Sequence, residues 1–170
     1  MAGLRVRAAE MPRDLPVVQE LCWEYRDYLL NFSTEMNHLV EAFYPYDAYA
    51  ALMADLPTRH ARPQGIILLA DLEGVAVGCG MYHPLTPSDA EIKRVFVRET
   101  ARGTGAGFHL SRALIEQARA DGYKRIFLDT NKDFVAARKL YEKLGFSNRG
   151  PYSELPPGTA ALMAFYEITL

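Results

Sequence analysis

The sequence predicts an α/β protein built on one mixed sheet with helices on both faces. Three observations carry this. Apolar patterns run in the order strand, two helices, three strands, helix, strand, helix, then one or two strands, an order that suits a layered α/β arrangement. A glycine run, Arg102-Gly103-Thr104-Gly105-Ala106-Gly107, joins a strand pattern to a helix pattern. The 170 residues are 49% hydrophobic and 24% charged, ordinary proportions for a chain that closes a core without staples. Residues 1–170 are therefore expected to form one domain.

Leu4 to Ala8 alternates apolar residues with arginine and reads as a first strand. Asp14 suits an N-cap, with Pro16 in the first turn. Val18, Leu21, Cys22, Tyr25, Leu29 and Phe32 then recur on one helical face. Residues 33–46 are less regular, and Tyr44-Pro45-Tyr46 is a break. Ala48 to Leu56 reads as a short second helix ended by Pro57, followed by a polar, basic connection over 58–64.

Gly65 to Leu72 is a buried strand pattern, Glu73-Gly74 a turn, and Val75 to His83 the returning strand. A proline-containing loop leads to a strand at Ala90 to Val97. The next helix runs from about Gly105 to Asp121, with Leu110, Ala113, Leu114 and Ala118 inward and Gly122 as its stop. Arg125 to Thr130 is a strand. Phe134 to Leu144 is a helix with Ala137, Leu140, Tyr141 and Leu144 on one side, ended by Gly145. Pro156-Pro157-Gly158 turns into a last strand, Leu162 to Leu170.

Composition excludes several functions. A net charge of −2 offers no basic field for nucleic acid. The longest apolar run, Ile66 to Ala70, falls far short of the ~20 residues that span a bilayer. Met1 to Arg7 lacks the apolar core of a signal peptide. Cys22 and Cys79 have neither metal spacing nor a CxxC pattern, so reduced thiols and a cytoplasmic location are expected. His38, His60, His83 and His109 form no ligand pattern, and no metal is expected.

The glycine run carries the chemistry. Glycines let the backbone turn tightly and bare its N–H groups, and a helix N-terminus favours anions. A phosphate cradle and an ordinary tight turn both fit six residues. A P-loop would need Gly-Lys-Ser/Thr, and no lysine follows. A dinucleotide fingerprint would need a third glycine where Phe108 stands. What remains is Arg-x-x-Gly-x-Gly at Arg102, Gly105 and Gly107, which resembles the acyl-CoA pyrophosphate loop of the GNAT superfamily of N-acetyltransferases. Residues 91–107 resemble that family's central strand and loop. Ala137-Arg-Lys-Leu-Tyr-Glu-Lys-Leu-Gly-Phe146 resembles its second signature, A-x-x-L-Y-x-x-x-G-F. Together the blocks cover about residues 65 to 150; the first ~60 residues carry no such motif.

The resemblance implies a mixed, mostly antiparallel central sheet whose two central parallel strands splay apart, with the acyl-CoA arm in the gap. These would be the strands ending at Val97 and Thr130. It implies acetyl-CoA as acyl donor, an amine as acceptor, and direct attack through a ternary complex. The backbones of Val95 and Val97 would bond the pantetheine, and Arg102, Gly103, Thr104, Gly105, Ala106 and Gly107 the pyrophosphate. Asn131 follows the next strand, where relatives place a polar contact to the CoA arm. Tyr141 matches the tyrosine that protonates the departing thiolate, and a phenol with a pKa near ~10 can do so at neutral pH. By periodicity alone, Tyr141 is also a core residue beside Ala137 and Leu144.

Glu91 opens the central strand, where many members place a base; a solvent-facing strand-edge charge is the other reading. Dimers are common among relatives, though no interface is legible here. Between residues 31 and 60, Glu35, Glu41, Asp47 and Asp55 could line an acceptor pocket for a cation or simply be solvated. The competing reading of the whole chain is a catalytically idle acyl-CoA-binding or protein-interaction module of the same fold. A transferase of longer acyl groups is a third.

Overall fold

The structure is a computed structural model and describes residues 3–170. Strand β1 (Leu4–Ala8) leads to three helices, α1 (Leu15–Phe32), α2 (Thr34–Phe43) and α3 (Tyr46–Arg59). Strands β2 (Ile66–Leu72), β3 (Val75–Pro84) and β4 (Asp89–Val97) follow, then α4 (Ala106–Ala120), β5 (Arg125–Asn131) and α5 (Val135–Lys143). The last strands are β6 (Ser147–Arg149) and β7 (Met163–Thr169). The seven strands form one sheet in the order β1-β2-β3-β4-β5-β7-β6. Every neighbouring pair is antiparallel except β4 and β5, which are parallel.

The expected helix Ala48–Leu56 is longer, and residues 33–46 hold a helix that the sequence pattern did not resolve. Ser33 caps α2 by accepting the Met36 N–H at 3.0 Å. Pro57 does not end α3. Proline cannot supply the N–H that would reach the carbonyl four residues back, and the Gln19 side chain donates to that carbonyl, Met53 O, at 3.0 Å. Asp14 does stand at the N-cap of α1, but it does not cap by its side chain. Its carboxylate accepts from Arg7 and from the Glu10 N–H, both at 2.7 Å. The Glu73-Gly74 hairpin turn is confirmed: both residues have positive φ, 50° and 81°, the mirror-image geometry that matches strand twist.

The sheet separates two cores. One face packs Ile92, Leu128 and Tyr166 against Leu110, Leu114 and Ala118 of α4, with Tyr141 of α5. The other packs Leu69, Met81 and Phe96 against Val18, Leu21 and Cys22 of α1 and Tyr49, Met53 and Leu56 of α3. The α1 stripe is close to that expected, but Phe32 is exposed and Arg26 is buried in its place. Arg26 donates to Tyr44 O at 3.0 Å and lies within 6.0 Å of the Trp23, Tyr46 and Tyr49 rings.

Two irregularities position the site. β4 and β5 pair only at Asp89/Arg125, Ala90/Ile126 and Glu91/Phe127. Beyond those rungs both strands continue, but apart: β4 stays on β3 and β5 on β7. The second is a bulge. Cys79 faces Phe96 and Met81 faces Lys93, so Gly80 alone opposes Arg94 and Val95. Arg94 takes φ 53° there, an uncommon conformation for a side-chain-bearing residue. The bulge resets the alternation expected for this strand. Ile92, Val95 and Val97 pack on the α4 face, whereas Arg94 and Phe96 meet residues of the α1 and α3 face.

Candidate active site

Where β4 and β5 part, a cavity of about 470 Å³ opens. One wall is β4 from Ile92 to Val97, the opposite wall Leu128, Asp129 and Thr130 of β5. Arg102 and Gly107 close one side, and Ala137, Leu140 and Tyr141 of α5 another. Tyr25, Tyr28 and Phe32 of α1 cover it. Arg98 returns its N–H to Val77 O at 2.8 Å. Strand alternation then turns the main-chain groups of Val97 and Val95 away from β3 and into the gap. An extended ligand arm can pair with them as a further strand would.

The glycine loop stands at the mouth. Gly103 and Gly105 have φ 81° and 87°, values glycine adopts without strain, and Gly105 is the N-cap of α4. Thr104 Oγ1 donates to Ala101 O at 2.5 Å and accepts the Ala106 N–H at 3.4 Å, which ties the loop together. Among the described residues, the amides of Gly103, Gly105, Gly107 and Phe108 meet no protein acceptor. These are the orphan donors of a helix start, and they suit an anion with several oxygens. Ala106 is buried and turned into the core. A Cβ on Gly107 would sit 3.8 Å from Leu140 and 3.9 Å from Val97, ordinary contact facing the cavity. Arg102 is exposed and lies 4.8 Å over the Tyr28 ring.

Tyr141 is 8% exposed. Its ring packs on Phe146 and Tyr166, so the core reading of its spacing holds as well. Its hydroxyl has no hydrogen-bond partner among the described residues, yet it lines the cavity. Burial, aided by the Asp129 charge, pushes its pKa up to about 12. It is a proton donor throughout the neutral range.

Glu91 is buried, which removes the solvent-facing alternative. His83 Nε2 lies 2.9 Å from its Oε1, and the Tyr152 hydroxyl donates to its Oε2 at 2.5 Å. Lys93 Nζ lies 3.4 Å from Glu91 and 3.6 Å from Asp129. Burial alone would raise Glu91, but the His83 contact, the Lys93 charge and the Tyr152 hydroxyl outweigh it and hold the pKa at about 2. Asp129 goes the other way. Burial raises it, and the Glu91 charge adds to this against the pull of Lys93. Asp129 lines the cavity; Glu91 is not among its lining residues.

Asn131 is placed elsewhere. Its Oδ1 accepts the Asp133 N–H at 2.7 Å and its Nδ2 lies 3.3 Å from the Met36 sulfur. It borders a smaller hollow under α2 rather than the main cavity. Glu35, Glu41, Asp47 and Asp55 are all exposed and do not line the main cavity. Lys93, Asp129, Tyr152 and His83 escaped sequence reasoning. Only Lys93 carried a signal, its place two residues after Glu91 on the same strand. No helix among the described residues is long and apolar enough to cross a membrane.

Known proteins resemble this chain in sequence and in fold. The family model described as "Acetyltransferase (GNAT) family" matches residues 21–146. An uncharacterized N-acetyltransferase of Schizosaccharomyces pombe is 31% identical over 157 residues, 91% of this chain and 90% of that protein. The IAA acetyltransferase of Azospirillum brasilense is 33% identical over 138 residues, 81% of this chain and 88% of that one. In solved structures the fold recurs in yncA of Salmonella typhimurium, described with its cofactor acetyl-CoA. There the TM-score is 0.71 at 19% identity, over 99% of this chain and 94% of that one. With matching motifs, a splayed sheet and an amide-lined loop, the chain belongs to the GNAT acetyltransferase family and is an acyltransferase.

Proposed function

We propose that the protein moves the acetyl group of acetyl-CoA to a primary amine by direct attack in a ternary complex. One observation carries the reading. A loop whose Gly103, Gly105, Gly107 and Phe108 amides are unpartnered, the open wall of β4 and Tyr141 border one cavity, which the loop reaches through Arg102 and Gly107. The loop fits a diphosphate because it offers several convergent donors and no acid among Arg102 to Gly107. The gap fits an extended arm because Val95 and Val97 present unpaired backbone to it.

The chemistry then needs three proton transfers: one off the ammonium, one off the attacking nitrogen as the amide forms, and one onto the departing sulfur. An alkylammonium near pKa ~10.4 must lose a proton, at about 4–5 kcal/mol at neutral pH. Asp129 is the better receiver of that proton, since it lines the cavity and its proton affinity is raised. Glu91, kept ionised, holds Lys93 and Tyr152 in place around it. The neutral amine attacks the thioester carbonyl carbon, the C–N bond forms and the C–S bond breaks. Tyr141 gives its proton to the departing sulfur, and the proton that the attacking nitrogen sheds as the amide forms restores the phenol by way of solvent. Acid catalysis of this kind contributes roughly 10²–10⁴-fold.

The test is thiol release from acetyl-CoA across a panel of amines, amino acids and peptides, with a thermal shift by acetyl-CoA alone. Binding with release supports the reading. Binding with no release from any acceptor supports the idle module instead, and no binding removes both.

A further inference from the structure

The charge lining a second hollow beside the site is opposite in sign to that of the exposed acids on α2 and α3. A hollow of about 260 Å³ between α3 and β4 is lined by Arg59, Lys93 and Arg94 and by no carboxylate. Its other walls include Tyr44, Tyr49 and Leu52, and it shares Tyr44, Lys93 and Arg94 with the main cavity. The two spaces therefore share a wall at the bulge.

Arg94 is 4% exposed, and all its side-chain partners are neutral. Its Nη2 lies 2.8 Å from His60 Nε2, and its Nε faces the Met81 sulfur at 3.4 Å. His60 Nδ1 lies 2.8 Å from Tyr82 O, which makes Nδ1 the donor and leaves Nε2 free to accept from Arg94. The Glu91 and Asp129 carboxylates face Lys93 instead. Buried Arg26 has only the exposed Glu41 near it, at 4.0 Å, whereas two partly shielded arginines are paired closely. Arg7 pairs with Asp14 and Asp71 at 2.7 Å, and Arg98 pairs with Glu24 at 2.6 Å. A buried guanidinium without a counter-anion is costly, and its planar fork matches a carboxylate better than any other common group. The bulge puts Arg94 on the face of the sheet that carries α3, in the wall that the two spaces share.

Resting on the reading of the protein as an amine acetyltransferase, we propose that the acceptor carries a carboxylate that pairs with Arg94 in this hollow. The substrate class is then a small free amino acid, its amine directed into the main cavity and its side chain against Tyr44 and Leu52. The carboxylate is bound, not consumed. The C–N and C–S changes and the proton to sulfur are those already described.

Matched acceptors test this: an amino acid, its amide and its decarboxylated amine, compared at equal free-base concentration with acetyl-CoA saturating. The carboxylate-bearing member of each set should lead by about 10²-fold or more in kcat/KM, the loss expected when a buried charge pair lacks one partner. Simple carboxylates such as propionate should compete with the amine and not with acetyl-CoA. Arg94→Gln should erase the discrimination. Should that variant fail to fold, the exposed Arg59→Gln should raise KM for the amino acid several-fold and leave KM for acetyl-CoA unchanged. Transfer with equal or better rates for the uncharged members overturns this proposal alone. Acetyl-CoA binding without transfer to any member overturns it together with the transferase reading.

Discussion

Glu91 and Phe127 form the last rung between the two parallel strands. Past them the sheet opens, and the cavity, the glycine loop and Tyr141 all lie on that opening. The same rung places Glu91 beside Lys93, so the end of strand pairing is also the start of the charged cluster.

Tyr141→Phe should separate catalysis from folding. The hydroxyl hydrogen-bonds to no other described residue, while the ring is packed. Turnover should fall at least about 10²-fold, with acetyl-CoA affinity and melting temperature nearly unchanged. Steady-state kinetics, ligand titration and a thermal melt read the three quantities. Equal loss of all three would make the residue structural.

Asp129→Asn should lower kcat by roughly 10²-fold and shift the remaining activity toward alkaline pH, where the amine is already neutral. Glu91→Gln should act less directly, by loosening Lys93 and Tyr152. The pH–rate profiles of the two variants decide between them. A larger defect in Glu91→Gln with a normal Asp129→Asn would exchange their roles.

Gly107→Val should fold, since a Cβ there makes only ordinary contacts with Leu140 and Val97. It should raise KM for acetyl-CoA by narrowing the phosphate end of the cavity. Gly78→Ala should do the reverse. A Cβ at Gly78 would lie 2.8 Å from the backbone oxygen of Phe96, which cannot turn away as a side chain can. A loss of about 1–3 kcal/mol is expected in a denaturant titration.

His60 should make stability depend on mild acid. Burial and the Arg94 charge hold its pKa at about 3 in the folded chain, against the ordinary 6.5. The unfolded chain binds that proton first, so stability is full above 6.5 and falls as the pH drops toward 3. Between pH 6.5 and about 5 the ordinary carboxylates have barely begun to titrate, so this window isolates the effect. Melting temperature against pH should slope there in the parent and flatten in His60→Gln.

Much of this architecture was legible in the sequence, and the limits have physical causes. The loop from Arg102 to Gly107 and the stripe around Tyr141 are local patterns, and both stand where they were expected. The splay came from family resemblance alone, because strand separation leaves no periodic mark. Three features depended on distant partners. Pro57 is tolerated inside α3 because Gln19, on another helix, takes the vacant carbonyl. The Arg94 bulge depends on Gly80 across the sheet, where an added Cβ would lie 3.0 Å from Leu114. The Glu91, Lys93 and Asp129 cluster joins two strands more than thirty residues apart, with Tyr152 arriving from a loop near the C-terminus. No window of sequence holds all four.

A crystal structure with acetyl-CoA bound is the decisive measurement. Diphosphate oxygens should lie within hydrogen-bonding distance, about 3 Å, of the Gly105 and Gly107 amides, with the pantetheine arm along Val95 and Val97 toward Tyr141. A bound cofactor whose diphosphate sits away from that loop, or whose arm lies outside the gap between β4 and β5, would contradict this mode of binding.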